Sequence, residues 1–357
     1  MEEKTMKKTI SIILSLMLLA SLLAGCTGTP VVYYTNCTCP TGSHTGTSTE
    51  TTPVTSEGAV KTGLAIVAGI GKSENAKQAE YDVTLVAVTV DDNGVIESCI
   101  IDSIGTKVEF DATGTITSDL TAQVSTKNEL GDNYGMVAYG GAKYEWYQQA
   151  AALADYAKGK TVEQLKNGAI DASGKAPEGT DLATTATIYL GGYVSAIEAA
   201  VNNAQHLGAQ AGDSLRLAAV SSIGSSVSAT AEKAGTAQLD CDVTALTMNG
   251  ETITSCYIDS LQAKVSFDTT GTISTDLTAA PQTKNQLGEN YGMVAWGGAK
   301  LEWNAQAAAF ASYVTGKTAA QVAGIAVAEG KPTEADLAAS VTIAIGGFQA
   351  LIAKAAK

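Results

Sequence analysis

The feature that most constrains this fold is an internal repeat. The segment TKNELGDNYGMVAYGGAKYEW begins at Thr126, and a near copy, TKNQLGENYGMVAWGGAKLEW, begins at Thr283. Residues 110–161 align with residues 267–318 without a gap, 157 positions apart, and about two thirds of these positions are identical. A period this long indicates two complete folding units, because the units of solenoid proteins are only about 20–50 residues long.

The repeat predicts two tandem homologous domains, at residues 61–204 and 214–357, joined by a hinge at 205–213. Each copy has the pattern of the α+β fold class, with β-rich segments first and helical segments after them. We therefore expect each domain to be a small antiparallel sheet packed with helices. The β-rich segments are GLAIVAGI, YDVTLVAVTV and VIESCIIDSI in the first copy, and QLDCDVTALTM and ETITSCYIDSL in the second.

The second copy contains a hairpin signal at Asn249-Gly250, since a type I′ turn needs positive φ at both central residues. Centring the turn there predicts that Cys256 faces Val243 and that Cys241 faces Ile258. The two cysteines would then share one face but lie diagonally, about 7–8 Å apart, which is too far for an easy disulfide. We expect Cys99 and Cys256 to be buried strand residues.

The N-terminus resembles a bacterial lipoprotein signal. Two lysines precede an apolar run that ends at Leu-Ala-Gly-Cys26, which predicts a signal peptide over residues 1–25 and lipidation of Cys26. The alternative is an uncleaved membrane anchor. Residues 26–60 are rich in Thr, Gly, Ser and Pro, which predicts a flexible tether with no packed core. The chain is thus expected outside the cytoplasmic membrane of a bacterium, held at the cell envelope by its lipid.

Composition argues against several functions. The net charge is −14, and Arg216 is the one arginine, so we expect no nucleic-acid partner. The two histidines, His44 and His206, lie outside both repeats, which leaves a Ser-His-Asp or Cys-His site without its base. We expect no independent catalytic activity.

A resemblance comes from the end of each repeat. The stretch DLATTAT, from Asp181 to Thr187, resembles the Asp-x-x-Ser/Thr-Gly-Ala-Thr motif of the bacterial FMN-binding domain family, which includes extracytoplasmic electron-transfer lipoproteins. The second copy reads DLAASVT, from Asp336 to Thr342. Both copies depart from the motif, since Thr185 and Ser340 replace its glycine.

The resemblance implies FMN joined by a phosphoester to the last threonine, which is Thr187 in the first repeat and Thr342 in the second. Asp181, Thr184 and Asp336 would belong to the same cofactor-binding motif. A threonine beside a helix start suits a phosphate, because free backbone N–H groups and the helix dipole favour negative charge there. A flavin transferase and a redox partner would then be the implied protein partners.

The repeated NYGM segment is followed by Tyr139 in the first copy and Trp296 in the second. Glycines beside aromatic residues are typical of platforms for planar ligands. Trp146 and Trp303 lie in predicted helices, and we expect them in the core. Two hypotheses follow. The first is a lipid-anchored flavoprotein that relays electrons at the cell surface, with Thr187 as the preferred attachment point, because the second copy departs further from the motif and has Val341 in place of its alanine. The second is a cofactor-free surface protein that binds a ligand or partner through the YGM–aromatic region.

Overall fold

A computed structural model describes residues Gly58–Lys357. The chain has a mixed α+β fold, with ten α-helices and three small antiparallel sheets among these residues. Both β-rich segments and helical segments form where the sequence predicts them. The predictions for Cys26, for the signal peptide and for nearly all of the tether lie outside the described residues.

Two sheets of three strands dominate the fold, in the order β1-β2-β3 and β4-β5-β6. A small two-stranded sheet, β7-β8, follows in the second repeat. The strands are β1 (Lys61–Gly69), β2 (Gln78–Val90), β3 (Ile96–Glu109), β4 (Ser214–Ser222), β5 (Gly235–Asn249), β6 (Thr252–Phe267), β7 (Val327–Ala328) and β8 (Lys331–Pro332).

The helices follow the same order in both repeats. Each copy has a short capped helix, a 12-residue helix that starts at the repeated tryptophan, two shorter helices and a terminal helix. They are α1 (Lys127–Leu130), α2 (Trp146–Ala157), α3 (Val162–Ala169), α4 (Asp181–Thr185), α5 (Gly191–Asn202), α6 (Lys284–Leu287), α7 (Trp303–Val314), α8 (Ala319–Ala323), α9 (Ala335–Ala338) and α10 (Gly346–Ala355).

The two sheets pack face to face over one shared core. Alternate residues of β2, such as Val83 and Leu85, join residues of β5, such as Leu239 and Val243, in this inter-sheet cluster. The other face of each sheet packs on the helices of its own repeat. Both faces are buried from Leu85 to Val90 of β2 and from Val243 to Met248 of β5, and these stretches, LVAVTV and VTALTM, are mostly apolar. The described residues from Gly58 onward belong to one compact unit, and the two-domain division stays a prediction from the sequence.

The hairpin register predicted for the second repeat is wrong. Asn249 pairs with Thr252, so Gly250 and Glu251 form the loop, and Gly250 takes the positive φ of +58°. A register shift between Thr247 and Met248 displaces the pairing further. A bulge adds one residue on one strand and therefore changes which residues lie opposite each other.

The corrected register separates the two cysteines of the second repeat. Cys256 pairs with Leu246 and packs on the helices, whereas Cys241 pairs with Leu261 and points into the inter-sheet core. They therefore lie on opposite faces of the sheet, not on one face. Both are free and buried, as is Cys99, which confirms the prediction of buried strand cysteines. Burial raises the pKa of each thiol to about 12.

A reciprocal contact joins the two repeats where β3 and β6 end. Gly114 has a φ of +68°, and a β-carbon on it would lie 2.5 Å from the carbonyl oxygen of Asp268. Gly271, with a φ of +69°, meets the carbonyl oxygen of Asp111 in the same way, at 2.6 Å. The rings of Phe110 and Phe267 stack 4.0 Å apart and nearly parallel. The matching contacts indicate an approximate twofold axis at this point.

Candidate functional site

The two threonines that the resemblance marks lie in equivalent turns before the terminal helices. Thr187 is exposed, and the Gln149 side-chain oxygen accepts from its backbone N–H at 2.8 Å and from its hydroxyl at 3.1 Å. Thr342 is also exposed, and Gln306 holds it at 2.8 and 3.2 Å. The threonine hydroxyls therefore have fixed positions at the protein surface, close to the start of α5 and α10.

The glutamines that hold these turns are fully buried on α2 and α7. Gln149 donates its amide N–H to the carbonyl of Tyr144 at 2.9 Å, and Gln306 does the same to Leu301 at 2.9 Å. Each glutamine thus ties the threonine turn to the end of the glycine-rich loop. Our sequence reasoning missed both residues. The available signal was a glutamine kept on the apolar face of the same helix in both copies.

The glycine-rich loops are held by the glutamates that precede α2 and α7. Glu145 is 4% exposed, and its two oxygens accept from the backbone N–H groups of Met136 and Val137, each at 2.9 Å. Glu302 makes the same pair of bonds in the second repeat. Charge-assisted hydrogen bonds of this kind are stronger than neutral ones. The loops are therefore fixed in shape before any ligand arrives.

Each loop presents one aromatic side chain to solvent. Tyr139 is 91% exposed and Trp296 is 80% exposed. Their rings lie against Gly135 and Gly292, where a β-carbon would come within 2.5 and 2.1 Å of ring atoms. Trp146, by contrast, is 3% exposed, and Trp303 is 5% exposed, which confirms that the repeated tryptophans are core residues.

The remaining motif residues lie on short surface helices. Asp181 and Asp336 are exposed, in the first turns of α4 and α9. The hydroxyl of Thr184 donates to the backbone carbonyl of Asp181 at 2.7 Å. These contacts are local to the helix, and the structure does not bring the carboxylates to the exposed aromatic rings.

In the second repeat the threonine turn and the YGM segment border one open cleft, of about 330 Å³. Ile343 and Ala344 line it from the turn, directly after Thr342. We call this space the second-repeat cleft. Its other lining residues are Asp242, Lys284, Tyr291, Met293, Trp303, Gly347 and Phe348.

The cleft combines aromatic walls with two charged side chains. The Lys284 ammonium lies 5.2 Å from the ring centre of Tyr291 and 4.7 Å from that of Trp303. Burial lowers the pKa of Lys284. A carboxylate oxygen of Asp242 lies close to Gly347, near the start of α10. The walls suit a flat apolar ring, and the ammonium and the carboxylate suit polar groups at its edge.

The first repeat fills the corresponding positions with its own tyrosines. Tyr193 stands where the second repeat has Phe348, and its hydroxyl accepts from the indole N–H of Trp146 at 3.0 Å. Tyr189 stands where the second repeat has Ala344, and its ring packs against Gly174 and Gly191. The two copies therefore share a framework but differ in the side chains at these two positions.

A buried carboxylate, that of Asp259, holds the first turn of α6, which begins at the cleft residue Lys284. The Asp259 oxygen accepts from the backbone N–H of Ser260 at 2.7 Å and of Asn285 at 3.1 Å. Burial raises the pKa of Asp259 from 3.8 to about 6, because desolvation outweighs these hydrogen bonds. The carboxylate therefore resists ionisation in the folded protein.

This raised pKa predicts a pH dependence of stability. Since the folded-state pKa lies above the ordinary value, the contribution of this carboxyl to the free energy of unfolding should fall as the pH rises from about 4 to about 6, by roughly 3 kcal/mol, and then level off. Asp259→Asn keeps an oxygen acceptor for Ser260 and should remove this decline. Urea unfolding of both proteins at pH 4.5 and 7 tests this, because the free energy of unfolding of the parent should fall relative to that of Asp259→Asn. An equal change with pH in the two proteins would contradict the prediction.

Among residues 58–357, no group of three or more acidic, histidine or cysteine side chains is arranged to hold a metal ion. In the same range, no helix has both the length and the apolar character needed to cross a bilayer. A scan against family models, a search of curated proteins and a search of solved structures each find no match to this chain.

Proposed function

We propose that the protein binds a planar aromatic molecule of the flavin class in the second-repeat cleft. The observation that carries this proposal is the meeting of three aromatic side chains with the turn of Thr342, because Tyr291, Trp303 and Phe348 border the same space as Ile343 and Ala344. A volume of about 330 Å³ lies within the usual range for small-molecule sites. Flat rings stack well on such walls.

FMN is the ligand that we propose first. Thr342 would carry the phosphate in a phosphoester, and the ring system would lie against the aromatic walls. The bound flavin would supply one- and two-electron chemistry. Lys284 would place a positive charge at the edge of the ring, and Gln306 would hold the attachment turn. In the first repeat Tyr189 stands where the second repeat has the small Ala344, so we assign attachment to Thr342 rather than to Thr187.

The cellular role that follows is electron transfer at the surface of a bacterial cell, by a chain anchored through a lipid on Cys26. A flavin transferase and a redox partner would act on it there. An exposed cofactor site suits exchange of electrons with a second protein. A covalent bond would prevent loss of the cofactor from a protein outside the cytoplasm.

In-gel flavin fluorescence tests this proposal, with the chain co-expressed with a flavin transferase. The parent and Thr187→Ala should fluoresce, and Thr342→Ala should not. Ala344→Tyr, which installs the tyrosine of the first repeat, should lose the signal because it fills the cleft. If Thr187→Ala loses the fluorescence and Thr342→Ala keeps it, the assignment to Thr342 is overturned. If the parent protein shows no fluorescence, the proposal of a covalently bound flavin is overturned.

A titration with free FMN and riboflavin distinguishes non-covalent binding of a flavin from covalent attachment through Thr342. If the cleft binds flavins without a covalent bond, fluorescence quenching should be retained in Thr342→Ala and reduced at least about tenfold in Ala344→Tyr. If neither flavin binds and the parent protein shows no in-gel fluorescence, the proposal that the cleft binds a flavin is overturned.

A second candidate function is binding of a protein partner through the YGM–aromatic loops. The exposure of Tyr139 and Trp296, at 91% and 80%, on loops held by Glu145 and Glu302 favours it. Rigid aromatic side chains make large contacts at low entropic cost. Replacing Trp296 with alanine should leave flavin fluorescence unchanged if this surface serves a partner rather than the cofactor.

A further inference from the structure

A second and larger cavity lies on the other side of the 12-residue helix α7. It has a volume of about 580 Å³ and is bordered by the linker residues 205–207, by residues 256–258 of β6 and by one face of α7. We call it the linker cavity. It shares no lining residue with the second-repeat cleft. Its volume lies in the middle of the range for small-molecule sites.

The polar groups of the linker cavity are almost all uncharged. Three side-chain amides line it, those of Gln205, Asn285 and Asn304, together with the hydroxyls of Ser312 and Thr315. The lining contains no lysine, arginine, aspartate or glutamate. His206 also lines the cavity, and its Nε2 lies 2.9 Å from Asp92. Amides and hydroxyls both donate and accept hydrogen bonds, which suits a ligand that carries hydroxyl groups and no charge.

The same cavity has an apolar side. Ile258, Ala308 and Ala311 supply it, and Tyr257 adds an aromatic side chain. A sugar ring has hydroxyl groups at its edge and C–H groups on its faces. A lining that combines amides with an aromatic and aliphatic surface matches both parts. A charged ligand would instead lose its hydration without gaining an opposite charge, which is costly.

The first repeat provides an internal comparison, because it leaves much less space at the equivalent place. Tyr147 stands there in place of Asn304, and Asp155 in place of Ser312. The corresponding cavity has a volume of about 260 Å³. The hydroxyl of Tyr147 bonds to Asp132 at 3.2 Å. The smaller side chains of the second repeat, together with the linker, therefore create the room for a ligand.

We propose that the linker cavity is a binding site for a neutral mono- or disaccharide. The amides of Asn304 and Asn285 and the hydroxyl of Ser312 would bind the sugar hydroxyls, and Tyr257 and Ala311 would contact its apolar face. This site is independent of the flavin proposal and would give the chain a second ligand of a different class.

Isothermal titration calorimetry of the intact chain tests the proposal with glucose, N-acetylglucosamine, maltose and lactose, and with adenosine as a neutral ligand that is not a simple sugar. At least one sugar should bind with one-to-one stoichiometry. Asn304→Tyr should abolish binding, because it supplies the bulk that fills the first repeat. Ala305→Tyr places the same side chain at the next, exposed position of α7 and should bind as the parent does.

Asn304→Ala provides a second test that does not depend on folding around a larger side chain. Loss of one side-chain amide should weaken sugar binding by about tenfold. The proposal is overturned if none of the four sugars binds at millimolar concentration, if adenosine binds more tightly than every sugar, or if Asn304→Tyr and Asn304→Ala both bind as the parent does.

Discussion

Gln306→Ala should lower the free energy of unfolding by roughly 3 kcal/mol and abolish ligand binding in the second-repeat cleft. The change removes the oxygen that accepts from the N–H groups of Thr342 and Ile343, at 2.8 and 3.2 Å, and leaves a space where a fully buried side chain stood. Removing one partner of a hydrogen bond in the interior costs about 1–3 kcal/mol, and the Gln306 amide that makes these bonds is fully buried. Urea unfolding and flavin fluorescence measure the two effects.

Gln149→Ala is the matched control. Gln149 makes the same bonds to Thr187 and Ile188, so its loss should cost a similar amount of stability. It should leave flavin binding intact, because we place the ligand in the second repeat. If both substitutions remove the flavin equally, binding depends on overall stability and not on the turn of Thr342.

Gly114→Ala should destabilise the protein by about 3 kcal/mol. Its φ of +68° costs an alanine about 1–2 kcal/mol, and a β-carbon would lie 2.5 Å from the carbonyl oxygen of Asp268. Overpacking of a closed contact adds about 1–3 kcal/mol. The clash involves backbone of the other repeat, so a side-chain rotation cannot relieve it. Thermal or urea unfolding measures the loss.

Gly141→Ala separates the cost of the positive φ from the cost of the clash with Asp268. Gly141 has a φ of +67°, almost the same as Gly114, but no atom lies within 4 Å of the position of an added β-carbon. It should therefore show only the backbone cost, about 1–2 kcal/mol. Equal losses at both glycines would mean that the contact between the repeats contributes little to stability.

Local patterns predicted most elements of this fold. The alternation and length of the apolar segments predicted β2 and β3. The tryptophans at the start of α2 and α7 were correctly assigned to the core. These features depend on periodicity within a few residues, which a sequence displays directly.

Features that depend on distant residues could not be predicted in this way. The cysteine register failed because the second hairpin closes on Gly250 and Glu251 rather than on Asn249 and Gly250, and because the pairing shifts again between Thr247 and Met248. The inter-sheet core requires knowing which faces of two sheets meet. The role of Gln306 requires knowing that a turn 36 residues later approaches its side chain.

The stacked pair of Phe110 and Phe267 has a consequence for how the duplicated halves can diverge. A residue on the axis of a duplicated chain contacts the equivalent residue of the other half. A substitution of either residue therefore requires the other one to adjust its packing. Positions away from the axis carry no such requirement, and there Tyr189 has its counterpart in Ala344. Side chains at such positions can therefore diverge independently in the two halves, whereas a change at the stacked pair must be matched across the axis.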